Sequence, residues 1–305
     1  MRVVCFDLDD TLYKEIDYLQ SAYREIAAYA AGQCTGCSDS VGILAIKAYN
    51  RMLDAYHEGQ NAFEELNRFL GLQLPVSDYL CIYRNHKPKI SLSEDVVQTL
   101  DALKAEDVRI GLITDGRAVQ QRHKIEALGL MRWVDEKDIV ISEEFGSEKP
   151  APANYTCFMQ RHPACHHFTY VGDNLRKDFI APNALGWMTV GLLDDGRNIH
   201  SQTLPEDNQP MQPKRWIATL RDLPLSLKQP IEGIDLADAV VEDEGVGVEG
   251  EKVFGVVVAD LKQRGQFALE GRFVTDGEGD LKVGGLAGFQ RYEVDFCVCI
   301  SSKNR

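Results

Sequence analysis

Short β-branched runs recur along the first two thirds of this chain, separated by stretches of helical period. They are 3–6, VRIGLI at 108–113, DIVIS at 138–142, FTYVG at 168–172 and WMTVGLL at 187–193. Parallel neighbours need a crossover between them, which a helix supplies, so the alternation constrains the chain to α/β. The expected fold is a doubly wound, Rossmann-like parallel sheet with helices on both faces. Ser91 and Glu94 have capping-box spacing, and Val96, Val97, Leu100 and Leu103 follow as one apolar face. A second helix runs over 118–128 and stops at Gly129; Pro150 and Pro152 suit the first turn of a third, reaching about Gln160.

One connection breaks the rhythm. About a hundred residues separate the first and second runs, where a βαβ unit needs roughly thirty. That span is helix-like: Ala22, Ile26 and Ala30, then Ile43, Ile46 and Met52, then Phe63, Leu66, Phe69 and Leu70. The expected organisation is an α/β core over 1–15 and 88–228, a helical cap inserted over 16–87, and a C-terminal extension over 229–305. The extension has no proline or tryptophan from 231 onward and is rich in glycine. EDEGVGVEGE at 242–251 reads as a flexible acidic linker, followed by strand-like runs at 253–259, 266–274 and 292–300, which leaves three readings open: a small β appendage, a poorly ordered tail or a sequence under no fold selection.

Composition narrows the function. A net charge of −14 argues against nucleic acid as a partner, although a small anionic substrate can still meet a locally cationic pocket. No segment is long and apolar enough to cross a membrane. The run 3–6 meets acids too soon to serve as a secretory core, so a cytoplasmic protein is expected. Eight cysteines in 305 residues make no disulfide framework. Cys34 and Cys37 form a CxxC without a second pair, Cys165, His166 and His167 read as loop or surface residues, and Cys297 and Cys299 alternate as on a strand. Reduced thiols are expected.

In doubly wound sheets functional groups gather beyond the carboxyl ends of the strands. Asp7 and Asp9 follow the first run, Thr114 the second, Lys149 comes after the third, and Asp173 and Asp178 follow the fourth. An acid after a strand is commonly a helix cap and a lone lysine commonly a surface residue. Four such pieces converging on one edge are hard to produce with caps. Asp10 reads as a turn or helix-cap residue.

The pattern resembles the haloacid dehalogenase superfamily: DLDDT at 7–11, Thr114, Lys149 and GDNLRKD at 172–178. The likeness covers residues 1 to about 228, and the insert resembles the C1-type cap of the phosphoglycolate phosphatase-like branch. It implies Asp7 as nucleophile forming an aspartyl-phosphate and Asp9 as general acid and base. Thr114 and the backbone N–H of Asp115 would donate to the phosphoryl oxygens, and Lys149 would neutralise their charge. Mg²⁺ would be held by Asp7, the backbone carbonyl of Asp9, Asp173, and Asp178 as a further ligand or as a supporting carboxylate. In that superfamily the dehalogenases lack the second aspartate and P-type ATPases carry threonine there, so Asp9 favours a phosphatase or phosphomutase. The expected partner is a small phosphorylated metabolite: a sugar phosphate, a phosphoglycolate-like acid or a nucleotide. A non-catalytic protein binding phosphorylated ligands is the alternative from another class, with the extension as a recruiting segment. Arg117 is a candidate anion contact, and Tyr13, Lys14, Arg84, His86 and Lys87 near the base of the insert are candidates for choosing the substrate.

Overall fold

The structure, a computed structural model, describes residues 2–35, 39–203 and 209–228, and strand backbone at 240–246, 252–257, 272–275 and 281–284. The chain divides into two units, Met1–Gln229 and Pro230–Arg305. The first is built on six strands: β1 (Arg2–Phe6), β2 (Val108–Thr114), β3 (Ile139–Ile141), β4 (His167–Gly172), β5 (Met188–Leu192) and β6 (Arg215–Ile217). Their order is β3-β2-β1-β4-β5-β6, every neighbouring pair parallel. This is the doubly wound parallel sheet expected. Strand β6 is an addition to the expected set, because three residues (RWI) carry no periodic signal.

Central strand β1 explains its own composition. Period 2 sends Val4 and Phe6 to one face, against Leu100, Leu103, Ile110 and Leu112, and Val3 and Cys5 to the other, against Tyr155, Phe158 and Phe168. A strand covered on both faces reads as an unbroken apolar run.

The covering helices are α5 (Glu94–Ala105), α6 (Ala118–Ala127), α7 (Ser142–Phe145), α8 (Ala153–Arg161), α9 (Ile180–Ala184) and α10 (Leu223–Lys228), while α1 (Glu15–Gly32), α2 (Val41–His57), α3 (Ala62–Leu70) and α4 (Val76–Asn85) fill the long β1–β2 connection. Helix α5 is capped by Ser93, whose hydroxyl accepts the Val96 N–H at 3.4 Å, rather than by Ser91. Pro152 is the N-cap of α8 and Pro150 lies before it. In the insert Ala22, Ile26 and Ala30 are buried as expected. Met52 is buried as expected too, but Ile43, Ile46 and Phe69 face outward, and α2 completes its inward stripe with Leu44, Ala48 and Ala55. Together with Met52 these keep 3.6-residue spacing, which the larger Val41, Ile43 and Ile46 at the start of the helix obscure in the sequence. Among the described residues no helix is long and apolar enough to cross a membrane.

The second unit contains four antiparallel strands, β7 (Val240–Val246), β8 (Lys252–Val257), β9 (Arg272–Thr275) and β10 (Leu281–Gly284), in the order β10-β9-β8-β7. Strand β7 runs into the stretch expected to be a linker. The run at 292–300, with Cys297 and Cys299, and also Cys37, lie outside the described residues.

Candidate active site

The strand order reverses direction at β1, so the crevice between β1 and β4 is where an open α/β sheet offers a site. Phe6 pairs with Val171, and the Asp7 N–H donates to the Val171 carbonyl at 2.9 Å. Asp7 and Asp173 therefore leave adjacent strands side by side. Gly172 is required here, since a Cβ would lie 2.3 Å from Asp178 Oδ2.

One corner of the site gathers Asp7, Lys149, Asp173 and Asp178. The Lys149 ammonium lies 2.8 Å from Asp7 Oδ1 and 2.8 Å from Asp178 Oδ1, and donates to the Tyr170 hydroxyl at 3.1 Å. Asp178 is fully buried. Its Oδ2 accepts the N–H groups of Asp173 (3.1 Å) and Asn174 (2.8 Å), so it anchors both the lysine and the turn after β4. Asp173 accepts from Thr11 Oγ1 at 3.4 Å and Asn198 Nδ2 at 3.0 Å. Asp7, Asp173 and Asp178 each bring a carboxylate oxygen within 4.8 Å of the other two. Burial, against the pull of Lys149 and with the repulsion of Asp178, pushes Asp7 up to about 7. Burial together with Asp178, Asp7 and Asp10 pushes Asp173 up to about 9. Three hard oxygen donors sharing one ammonium leave a deficit of positive charge, which fits a small divalent cation.

The other corner belongs to Asp9, whose carboxylate turns away from that trio. Lys124 Nζ donates to its Oδ1 at 2.7 Å, joined there by the Tyr13 hydroxyl, and Gln121 Nε2 donates to its Oδ2 at 2.9 Å. Gln121 also donates to Thr114 Oγ1 at 2.6 Å. Lys124 lies 4.7 Å over the Tyr18 ring and 6.0 Å over that of Tyr13. Burial would raise the Asp9 carboxyl, but Lys124, Tyr13 and Gln121 outweigh it and hold the group below its usual range.

Sequence reasoning misses Lys124 and Gln121. A signal exists: stepping back four from Leu128 and Ile125 puts residues 124 and 121 on the inward stripe of α6, where the chain carries two buried polar groups. It misses Glu15 too; burial and Asp9, against Lys124, push that carboxyl up to about 8.

The remaining candidates fall in different places. Thr114 is buried at the end of β2. The Asp115 carboxylate accepts the Lys149 N–H at 2.9 Å and the Lys177 ammonium at 3.2 Å, tying two loops together. Arg117 is exposed at the start of α6, 3.9 Å from Glu143. Asp10 sits in left-handed backbone (φ 55°) and accepts the N–H groups of Glu15 and Ile199, both at 2.9 Å, so it is the turn and cap residue expected. Of the cations near the insert's base, Arg84 and Lys87 are exposed. His86 is buried, bonded to Ser21 at 2.8 Å and to Glu25, and so is committed to packing rather than to a substrate. Cys165 is buried while His166 and His167 are exposed, so they do not converge.

A family model described as haloacid dehalogenase-like hydrolase matches residues 4–192. The glyceraldehyde 3-phosphate phosphatase of Methanocaldococcus jannaschii is 30% identical over 201 residues, 63% of this chain and 85% of that protein. The ribulose-1,5-bisphosphate 5-phosphatase of Halopiger xanaduensis is 36% identical over 103 residues, 33% of this chain and 42% of that protein. Among solved structures, the magnesium-bound putative HAD-hydrolase YfnB from Bacillus subtilis superposes with a TM-score of 0.54 at 20% identity, covering 75% of this chain and 99% of that one. That likeness establishes the fold.

Proposed function

The chain belongs to the haloacid dehalogenase-like hydrolase family, and we propose that it is a phosphatase hydrolysing phosphomonoesters of small sugar-like metabolites through Asp7. The observation that carries this is the Asp9 carboxylate, two residues beyond Asp7 and held at the same strand end by Lys124, Gln121 and Tyr13. A phosphoryl transfer to a carboxylate needs a second group to give and take the proton, and the nearness of Asp9 to Asp7 along the chain supports it in that role. The named relatives support the sugar-phosphate class.

In this mechanism Asp9, ionised in the free protein, takes the proton that a phosphate monoester brings as its monoanion. An Asp7 oxygen then attacks phosphorus as the bond to the leaving oxygen breaks, and Asp9 passes that proton to the leaving oxygen. Asp9 then takes a proton from water, whose oxygen attacks the aspartyl-phosphate; phosphate departs and Asp7 is regenerated. Thr114 Oγ1 already accepts from Gln121, so its own O–H is the donor left for the phosphoryl oxygens, beside the Asp115 N–H. Lys149 faces Asp7 and carries positive charge to the transferring group. Asp7, Asp173 and the Asp9 carbonyl would hold Mg²⁺, with Asp178 behind them securing Lys149 and the Asp173 turn. The bound cation supplies the screening that lets a carboxylate approach a phosphate dianion. Arg117 is not needed for any of these steps.

Phosphate release from glyceraldehyde 3-phosphate, ribulose 1,5-bisphosphate, phosphoglycolate, a nucleoside monophosphate and an aryl phosphate, with and without Mg²⁺, tests the proposal. Release should require Mg²⁺, favour the sugar esters, and vanish in Asp7→Ala. No release from any ester by folded protein would refute it, and transfer of the phosphoryl group between sugar positions without free phosphate would make it a mutase.

A further inference from the structure

The segment after β5 forms a strap that reaches Asp173 and the start of α1. Asp194 Oδ1 accepts the N–H groups of Gly196 (2.8 Å), Arg197 (3.0 Å) and Asn198 (3.0 Å). Gly196 turns the chain at φ 89°, where a side chain would be strained. This tight turn aims the Asn198 amide. Its Nδ2 donates to Asp173 Oδ2 at 3.0 Å and its Oδ1 accepts from Lys14 Nζ at 2.7 Å. The Lys14 ammonium can only donate, so it takes the amide oxygen and leaves Nδ2 to face the Asp173 carboxyl oxygen. The other oxygen of Asp173 has the longer contact, 3.4 Å from Thr11. Gln202 Nε2 reaches the Asp173 carbonyl at 3.0 Å and the Leu192 carbonyl at 2.7 Å, securing the backbone of the same residue. The strap also grips the insert: Lys14, at the N-cap of α1, lies 3.1 Å from Asp195, and Arg197 bonds Asp17 in the first turn of α1 at 2.6 Å.

We propose that Asn198 is a positioning residue that fixes the Asp173 carboxylate for the divalent cation, and that through Lys14 it links that carboxylate to the base of the helical insert. The inference rests on the cation site of the proposed phosphatase. A carboxylate that holds a cation binds it best when its rotamer is set beforehand, and partners of this kind typically change metal affinity by 10–100-fold. Asn198 touches no reacting atom; it acts through Asp173.

The experiment is a thermal-shift titration of the full chain with Mg²⁺, which needs no turnover. In Asn198→Ala the Mg²⁺ concentration for half-maximal stabilisation should rise roughly tenfold, with the metal-free Tm close to wild type. Lys14→Met should shift the midpoint in the same direction by less, because it frees the amide without removing the donor to Asp173. Arg197→Ala, which cuts only an ion pair at the strap's surface, should leave the midpoint unchanged. A wild-type midpoint in Asn198→Ala, or a lowered metal-free Tm with that midpoint intact, overturns the proposal by making Asn198 a structural residue. If Asn198→Ala does not fold, Lys14→Met carries the test with the same readout, and an unshifted midpoint there defeats the proposal. Wild type stabilised by Mg²⁺ beside an unshifted variant would sink this inference alone. Wild type without any Mg²⁺-dependent stabilisation would sink the cation site itself.

Discussion

Asp7 and Asp9 leave the same strand two residues apart and meet opposite surroundings. Asp7 shares the single ammonium of Lys149 with Asp178 and faces Asp173 as well, and burial with like charge pushes it up to about 7. Asp9 has Lys124 and Tyr13 on one oxygen and Gln121 on the other, which hold it down. The carboxyl group is the same; what differs is the supply of donors. One corner is short of positive charge, which a cation would complete, whereas the other is saturated by the protein. The proposed roles invert this resting contrast: a dication beside Asp7 would free it of its proton for attack, and Asp9 starts ionised, the form in which a base takes a proton.

The largest effect should come from removing the attacking oxygen. Asp7→Asn should lower kcat by at least about 10⁴-fold, read as phosphate release under saturating substrate. Residual activity within tenfold of wild type would mean that another group attacks phosphorus. Asp9→Asn should cost about 10²–10⁴-fold, and the loss should depend on the leaving group. An aryl phosphate leaves without a proton, so its first step should survive and phosphorylated Asp7 should accumulate, visible by intact-protein mass spectrometry. Equal losses for aryl and sugar esters, with no adduct, would erase the difference between the corners.

A smaller effect, on stability, tests how Asp9 is held. Lys124 is buried against it, and breaking such a pair from one side strands a buried charge. Lys124→Met should cost about 3 kcal/mol in urea unfolding. Asp9→Asn added to it should recover part of that, because a neutral amide no longer needs the ammonium. Strictly additive costs in the double variant would mean that the two groups do not depend on one another.

The same contrast decides how much of the site is legible in the sequence. The Asp7 corner is legible because its members stand at strand ends, where topology alone brings residues 7, 149, 173 and 178 to one edge. The Asp9 corner is half-hidden. Gln121 and Lys124 lie on the inward face of α6, and an amphipathic reading expects polar residues to point outward, so buried ones pass as surface. Asn198 lies in a loop whose reach no periodicity reports. The insert misleads in the other direction: Ile43 and Ile46 invite burial by type, while α2 packs through small Ala48 and Ala55, whose burial follows from close helix approach rather than from hydrophobicity. Strand β6 is three residues long and owes its place to pairing with β5.

The smallest and sharpest test concerns the charge deficit itself. The Asp7 and Asp173 carboxyls start from 3.8 and stand at about 7 and about 9 in the folded, metal-free protein. The folded state therefore binds more protons than the unfolded chain between about pH 4 and pH 9. The sign follows: this contribution to stability is fully present below about pH 4 and is lost as pH rises through about 7 and then about 9. Metal-free protein should thus lose stability across that range, whereas a bound dication replaces the protons and removes the penalty. Mg²⁺ should raise the Tm more at pH 9 than at pH 6, and its half-saturating concentration should fall as pH rises. A thermal-shift series at fixed Mg²⁺ and ionic strength reads this directly. A Mg²⁺-induced shift that is the same at both pH values would mean that no proton is displaced, and that the Asp7 corner is no more in need of a cation than the corner around Asp9.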